Sequence, residues 1–406
     1  MGHHVEFLEH AARYSAAQSD IQIHLVVHPH IEEHAPSLVQ LASAHPNCVF
    51  LHPLTESEFE ATERTDTIFS RALAGWEAAE KRGRQVGADH CVFMEMNAYQ
   101  PILGLPRVRQ APFQTSGILF FPYCRLDVDS SSWKASLHLQ AEKVRKHLQL
   151  RWVLSNPNVH TLFLLNDPWA ARELSSALGS DALASLPDPV PLLPDAVDVS
   201  PEVSTWMNAE WGADRTHFLL FGSLREAKGV RPALKAFHQL NDADARTASL
   251  HILGRTRAEM AESLPKLVDA LRIQQPKLHV HFEDRYLSES ELSAALHHSD
   301  VILAPYLRTE GSSGVLGHAA RYKRPVIGPS TGLIGQLIET YGLGTGLPEI
   351  TATTLSCALR SHLQKPDSAA SKQGMQQYVK ERSPEVFART FFQTIRDGAG
   401  APPVRN

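Results

Sequence analysis

Length, composition and charge restrict what this chain can be. Its 406 residues are too many for one compact core and suit two domains. With 43% hydrophobic and 20% charged residues, the chain has the composition of a globular protein rather than a disordered one. The formal net charge of -5 argues against a nucleic-acid-binding protein. Residues 1–4 are not a signal peptide and no apolar run is long enough to span a bilayer, so we expect a cytoplasmic location.

Strands and helices alternate along the first half. Apolar strand-like runs cover residues 21–27, 48–51, 91–94, 118–121 and 161–165, and the clearest helical patterns cover about 57–86 and 133–154. This alternation is typical of parallel sheets with crossover helices, so the predicted fold class is α/β.

A proline-rich segment divides the chain. Positions 187, 189, 191 and 194 are all proline, which neither a helix interior nor a central strand tolerates. We therefore place the first domain at residues 1–195, the second at 196–380, and a terminal helix with its tail at 381–406. The second domain repeats the alternation, with strands near residues 218, 250–254, 279–282, 301 and 326 and a last helix over 384–396.

The second domain opens with a strand, a glycine turn and two cations. Residues 217–221 form a short apolar strand, Gly222, Arg225 and Lys228 follow it, and a helix begins near residue 232. Because open parallel sheets bind ligands at the carboxyl ends of their strands, these cations are placed to bind an anion.

A second anion signal follows the apolar run at 299–306. Residues 313–315 begin a helix, whose first N–H groups and positive dipole end make a site for an anion. Glu310 lies three residues before the helix start, where it cannot help to bind a phosphate but could accept hydrogen bonds from a sugar hydroxyl. Phosphate and sugar side by side indicate a nucleotide-sugar.

Three segments, residues 222–229, 310–316 and 325–327, together resemble the donor-binding half of the retaining glycosyltransferases of family 4, also called glycosyl transferases group 1. The resemblance implies the GT-B fold, in which two Rossmann-like doubly wound parallel-sheet domains face a cleft and a C-terminal helix crosses back to the N-terminal domain. It also implies transfer of a hexosyl unit from a UDP-, GDP- or ADP-sugar to an acceptor hydroxyl, with retention of configuration and with no metal or other cofactor.

The resemblance assigns roles to donor-side residues. Lys228 would pair with the donor's diphosphate, the alternative being a solvated loop cation. Ser223 stands where the family usually has an arginine, and Arg225 can substitute from the same turn. Glu310 matches the first of two family glutamates and would lie against the donor sugar, the alternative being an acid favoured by the helix dipole. His318 stands in place of the second glutamate and would accept hydrogen bonds from the ribose, unless it is a core-edge histidine.

Further donor contacts are implied at the backbone and at two other strand ends. The predicted phosphate and sugar contacts, made chiefly by N–H groups, come from Ser312, Ser313, Gly314 and Val315. The predicted contacts near the nucleobase come from Gly254, Arg255, Tyr286 and Leu287. A glycine at the end of a strand is alternatively only a turn.

The first domain departs from the family pattern at its start. The family opens with a buried strand and a glycine-rich turn, whereas this chain opens at Gly2-His3-His4, which resembles the turn itself, followed by a helix over 5–17. We expect the first strand to be missing, because the reading frame starts too late or because the sheet is completed in another way. The predicted acceptor-side residues are Gly2, His3, Asn97 and Arg125, and the expected acceptor is a saccharide or a lipid-linked molecule.

Two motifs and two alternative functions remain. Asp127-Val128-Asp129 has the spacing of a metal-binding pair but lies in a polar loop, so no metal site is predicted. Residues 143–147 could form a basic face for peripheral contact with the inner membrane face, or simply a solvated surface. Besides a transferase, the sequence allows a GT-B sugar-nucleotide epimerase or a non-catalytic sugar-nucleotide-binding homologue.

Overall fold

The computed structural model describes residues 2–18, 20–63, 67–125, 133–194, 206, 211, 214–364 and 370–397. The chain divides into two compact units: unit 1 comprises Met1–Pro189 and Ser383–Asn406, and unit 2 comprises Val190–Arg382. Parallel strands form the sheets of both units. The predicted α/β class, with parallel sheets in two domains, is therefore confirmed.

Unit 1 contains two parallel sheets between helices. Along the chain its elements are α1 (Gly2–Ala16), β1 (Ile23–Val27), α2 (Ile31–His34), α3 (Pro36–Ala44), β2 (Val49–Pro53), α4 (Glu56–Glu63), α5 (Ile68–Val86), β3 (His90–Phe93), β4 (Gln114–Leu119), α6 (Trp133–Leu154), β5 (Val159–Leu165), α7 (Pro168–Leu178) and β6 (Leu183–Leu186). Strands β1 and β2 form a two-stranded sheet, and β3, β4, β5 and β6 form a four-stranded sheet in that order.

Unit 2 contains one six-stranded parallel sheet. Its elements are β7 (Thr216–Phe221), α8 (Val230–His238), α9 (Asp242–Thr247), β8 (Ala248–Leu253), α10 (Ser263–Gln274), β9 (His279–Glu283), α11 (Glu289–His298), β10 (Val301–Leu303), α12 (Gly314–Arg321), β11 (Val326–Pro329), α13 (Gly332–Tyr341), β12 (Gly344–Leu347), α14 (Ala352–Gln364) and α15 (Lys372–Glu381). The strand order is β12-β11-β10-β7-β8-β9.

The last helix, α16 (Pro384–Asp397), belongs to unit 1 although it follows unit 2 in the chain. It packs against α1, where the rings of Phe387 and Phe7 lie 5.0 Å apart, and against β5, where the rings of Phe391 and Phe163 lie 5.4 Å apart. The helix predicted at 384–396 therefore forms and packs with the N-terminal unit, as the resemblance implied.

Strand β5 is buried on both faces, as expected for a central strand of a parallel sheet. Leu162 and Leu164 face a core that includes side chains of α5, α6 and α7. Phe163 and Leu165 face the opposite core, which α1 and α16 cover. The apolar residues of β5 do not alternate with polar ones, so both of its faces must be covered. Helices on both faces of the sheet provide this cover.

The start of unit 1 differs from the expectation in one respect. Gly2-His3-His4 lie in the first turn of α1 rather than in a turn before it, so the helix is longer than the predicted 5–17. Among the described residues of unit 1, no strand joins the two sheets, and β1 and β3 are each paired on one side only.

Other boundaries differ because local signals were overlooked. The helix predicted over about 57–86 is two helices, and Thr67 begins the second one, where its side chain accepts a hydrogen bond from the N–H of Ser70. The short strands β6 and β12 were not predicted, and two glycines interrupt the apolar pattern of β12. Asp127 and Asp129 lie outside the described residues. In the described part of the chain, no helix is both long and apolar enough to cross a membrane.

One face of the unit 2 sheet carries histidines where an apolar surface is expected. His251 on β8 is fully buried, and its Nε2 lies 3.0 Å from Nδ1 of His217 on β7 and 3.0 Å from Oγ of Ser249. The ring of Trp211 stacks on His251 at 3.6 Å. Burial, and after it the neighbouring histidines, lowers the pKa of His251 well below its ordinary value.

The histidine face makes the stability of unit 2 depend on pH. The folded chain keeps His251 neutral, whereas the unfolded chain binds a proton below about pH 6.5, so folding loses free energy as the pH falls below that value. We expect the unfolding temperature of unit 2 to fall by several degrees between pH 7.5 and pH 5 in thermal scans. The H251Q variant should flatten this dependence, whereas H138Q, which removes an exposed histidine of unit 1, should not. Parallel profiles for H251Q and the unmodified chain would contradict the assignment.

Candidate functional site

The sheet of unit 2 has a crevice at the point where its strand order reverses. The chain runs from β7 to β8 and β9 on one side, then returns to β10, which pairs with β7 on the other side. Connections from β7 and β10 therefore leave the sheet in opposite directions and open a crevice between their carboxyl ends. Both predicted anion turns, the one after β7 and the one after β10, follow strands that border this crevice.

The turn after β7 is held against the end of β10 by backbone contacts. It contains Gly222, in the left-handed region at φ 100°, and ends at Gly229, also left-handed at φ 68°. A Cβ atom at Gly229 would overlap the carbonyl oxygen of Pro305. Nearby, the N–H of Leu307 donates to the carbonyl oxygen of Ala227 at 3.0 Å. Only glycine allows this approach, so residues 222–229 are fixed beside the segment that follows β10.

Tyr306 connects the two predicted anion turns. The ammonium of Lys228 donates to the Tyr306 hydroxyl at 2.7 Å, and that hydroxyl lies 2.9 Å from Oγ of Ser313. Tyr306 is buried and Lys228 is half-buried. The lysine of one turn and the serine at the helix start of the other are thus one tyrosine hydroxyl apart, at the same edge of the sheet.

The start of α12 keeps its N–H groups available. Ser313 is the N-cap residue, but its side chain makes no capping hydrogen bond to the helix and contacts Tyr306 instead. A helix leaves its first N–H groups without partners in the helix, so those of Gly314 and Val315 point toward the crevice with the positive end of the dipole. Ser312 and Glu310 are half-buried in the same segment between β10 and α12.

The end of β8 meets the turn after β7. Gly254 has φ 142°, and a Cβ there would overlap the carbonyl oxygen of Gly222. The segments that follow β7 and β8 remain paired beyond the strands, because the N–H of Arg257 donates to the carbonyl oxygen of Leu224 at 2.9 Å. The side chain of Arg255 is exposed, and its guanidinium lies 3.8 Å from the carboxylate of Asp284.

Arg257 is a cation that the sequence interpretation missed. Its Nε donates to Oγ of Ser223 at 2.8 Å. Ser223 is the position where the family usually has an arginine. The guanidinium of Arg257, which follows β8, therefore lies beside the position from which the family arginine is missing. The sequence signal was present, since Arg257 follows Gly254 by three residues, but only the pairing of the two strand ends gives it meaning.

The remaining donor-side residues are spread more widely. Tyr286 is 74% exposed and Leu287 is half-buried, and both follow β9, the edge strand two positions from β7. His318 is buried in α12, with its ring edge-on to that of Phe221, the last residue of β7, at 5.7 Å. Arg225 is exposed in the turn after β7, which also contains Lys228 and is called the lysine turn. The structure thus brings Gly222, Lys228, Gly254 and Ser313 to the crevice and leaves Tyr286 and Leu287 at the sheet's edge.

In unit 1, the two described acceptor-side side chains contact their own unit. Asn97 accepts a hydrogen bond from the N–H of Phe120 at 2.8 Å and donates to the carbonyl oxygen of Phe121 at 3.4 Å. Arg125 makes a bidentate ion pair with Asp167, at 2.7 and 2.8 Å, and Asp167 is fully buried and caps α7. Gly2 and His3 lie in the first turn of α1. Among the residues that the structure describes, no group of three or more histidine, cysteine, aspartate or glutamate side chains is arranged to hold a metal ion.

Comparisons with known proteins agree with this arrangement. Residues 215–360, which lie within unit 2, match the family model for glycosyl transferases group 1. No curated protein sequence matches the chain.

Several solved structures share the fold over most of the chain. A UDP-forming trehalose-phosphate synthase from Burkholderia vietnamiensis has a TM-score of 0.66 at 12% identity, covering 93% of this chain and 97% of its own. The Anabaena protein HepE in complex with UDP and glucose has a TM-score of 0.64 at 11% identity, covering 98% and 96%. Sucrose-phosphate synthase from Thermosynechococcus elongatus has a TM-score of 0.59 at 16% identity, covering 86% and 83%. The GT-B fold that the resemblance implied is confirmed.

The buried ion pair gives a test of what Arg125 does. In the R125Q variant Asp167 would lose its charged partner while remaining buried, which costs about 3 kcal/mol of unfolding free energy. We expect urea unfolding to record this loss. Hydrogen exchange should show that the loss affects segments of unit 1. The matched control is R107Q, which breaks a surface pair with Glu77 and should cost less than about 1 kcal/mol. Wild-type stability in R125Q would contradict the structural role of the ion pair.

Proposed function

We propose that this protein transfers a hexosyl unit from a nucleotide-diphospho-sugar to an acceptor hydroxyl, with retention of configuration and without a metal ion. The observation that carries the proposal is the contact of Lys228 and Ser313 with one tyrosine hydroxyl at the reversal point of the unit 2 sheet. A pyrophosphate bound there would meet an ammonium group on one side and a helix start on the other.

The chemistry follows from where charge develops. As the bond between the sugar and the diphosphate breaks, negative charge accumulates on the leaving oxygen atoms. Fixed donors aimed at that charge lower the barrier because they need no reorganisation during the reaction. Lys228 and the N–H groups of Gly314 and Val315 supply these donors, which is the work that a divalent ion performs in other transferases.

Arg257 completes the cationic side of the site in this proposal. Its guanidinium is held at Ser223, where the family arginine would begin, and it carries a permanent charge. Arg225 lies on the same turn; both arginines are exposed, but it is the guanidinium of Arg257 that is hydrogen-bonded to Ser223. We therefore assign the second phosphate-binding cation to Arg257 rather than to Arg225.

The rest of the donor is assigned by position along the crevice. Glu310 precedes the helix start and would accept hydrogen bonds from hydroxyl groups of the sugar, beside the reacting carbon. His318, one turn further along α12, would accept from the ribose. Gly254 and Arg255 lie near the base in this arrangement, with Tyr286 and Leu287 beyond them at the sheet's edge.

The named neighbours support a uridine nucleotide among the possible donors. HepE was solved with UDP and glucose, and the trehalose-phosphate synthases are described as UDP-forming. A saccharide or lipid-linked acceptor, with contacts to Gly2, His3, Asn97 or Arg125 of unit 1, remains part of the proposal. The contacts of Asn97 and Arg125 within unit 1 give both residues a structural role as well.

Removal of the lysine charge tests the phosphate assignment. We expect K228A to bind UDP about 10- to 100-fold more weakly in titration calorimetry, because a charged hydrogen bond to phosphate is lost. The control K266A removes an exposed lysine of α10 and should bind UDP as the unmodified chain does. Release of nucleotide from UDP-, GDP- and ADP-sugars, with and without saccharide acceptors, then measures transfer. Unchanged affinity in K228A would refute the phosphate site, and binding without turnover would favour a non-catalytic homologue.

The two arginines can be separated in the same assay. We expect R257Q to weaken UDP binding about tenfold and R225Q to have a smaller effect, since only Arg257 is held in place by a hydrogen bond at the turn. Binding of uridine, which lacks phosphate, should respond to neither variant. If R225Q weakened UDP binding more than R257Q, the second phosphate-binding cation would be Arg225 rather than Arg257.

A further inference from the structure

One face of α6 exposes a row of apolar side chains. Leu137, Val144 and Leu148 are 58%, 60% and 59% exposed, and Trp152 is 40% exposed. At about 100° per residue, these four and the exposed Ala141 fall within an arc of about 80° on the helix. These five residues are called the α6 stripe below.

The opposite face of α6 is the one that holds the helix to unit 1. Leu150 is 2% exposed and Val153 is fully buried, and both belong to the core beneath the four-stranded sheet. On the same helical projection they lie roughly opposite the α6 stripe. The helix therefore cannot bury the stripe by rotating without exposing its own core face.

Positive charge borders the stripe on both sides. Arg145 and Arg151 are exposed and project about 60° to either side of the stripe's centre. The only acid between residues 137 and 152 is Glu142, which lies 3.7 Å from Arg145, and the two lysines of this segment, Lys143 and Lys146, project away from the stripe. Two arginines therefore flank the exposed apolar row of a protein whose formal net charge is -5.

We propose that the α6 stripe binds the surface of an anionic lipid membrane, with the helix lying in the plane of the interface. The leucines and the valine would enter the boundary between headgroups and acyl chains, and Trp152, whose ring packs against Gly104, would present its exposed edge there, where tryptophan is favoured. Arg145 and Arg151 would keep their aliphatic stems beside the stripe while their guanidinium groups reach lipid phosphates. The exposed apolar row distinguishes this surface from a merely solvated basic face.

A second copy of the chain fits the surface less well. The stripe is only a few residues wide, whereas a standard protein–protein interface buries about 800 Å² on each partner. In a two-fold arrangement of α6 against α6, the arginines that border one stripe would meet those of the other, because such an interface is self-complementary. An anionic membrane presents opposite charge along the whole helix.

Vesicle binding tests the proposal directly, and it does not depend on transferase activity. We expect the full chain to co-sediment with vesicles of phosphatidylcholine mixed with phosphatidylglycerol, to bind vesicles of phosphatidylcholine alone at least tenfold more weakly, and to be released by salt. The variant L137Q/V144Q/L148Q should lose at least tenfold in binding to the mixed vesicles. The matched control is I273Q, which removes an 80% exposed isoleucine of α10 and should bind normally.

The arginines and the alternative partner give further outcomes. R145Q/R151Q should lose about fivefold in binding for each arginine and should respond less to salt. All these positions are exposed, so thermal unfolding of the variants should match that of the unmodified chain. The proposal is overturned if the unmodified chain ignores mixed vesicles, if the triple variant binds them normally, or if sedimentation reveals a dimer that the triple variant abolishes without any vesicle binding.

Discussion

The approach of Gly229 to Pro305 is the contact on which the candidate site depends. Because glycine has no Cβ, the turn after β7 can lie against the carbonyl oxygen of Pro305. That contact sets the distance between the two turns and allows Lys228 to reach Tyr306, which in turn reaches Ser313. Any larger residue at position 229 would separate the turns and move the ammonium of Lys228 away from the helix start.

Much of this architecture could be predicted from local patterns. The alternation of apolar strands and helices indicated the α/β class, and α6 was predicted at its observed bounds because its helical pattern is long. The lysine turn and the helix start at Ser313 were also found, since glycine, cations and small residues after apolar strands are local signals. Shorter elements were not predicted from such patterns. Strand β12 is an example, because two glycines interrupt its apolar pattern.

What the sequence could not indicate are contacts between distant residues. Tyr306 was interpreted as the end of a strand, and nothing near it in sequence reveals that its hydroxyl meets Lys228. Likewise, the ion pair of Arg125 with the buried Asp167 could not be identified before the chain was folded. The same limit applies to His251, which lies in a face shared by three strands. Each of these residues acquires its role from pairing between strands, which a linear pattern does not record.

The separation along the chain between Lys228 and its partners also affects how the protein is made. During synthesis on a ribosome, β7 and the lysine emerge well before the segment that follows β10. Pro305, Tyr306 and Ser313 must be translated, and β10 must insert beside β7, before the geometry of the candidate site exists. A nascent chain that ends at α11 contains β7 to β9 and every cation of the site, yet it lacks the groups that position them.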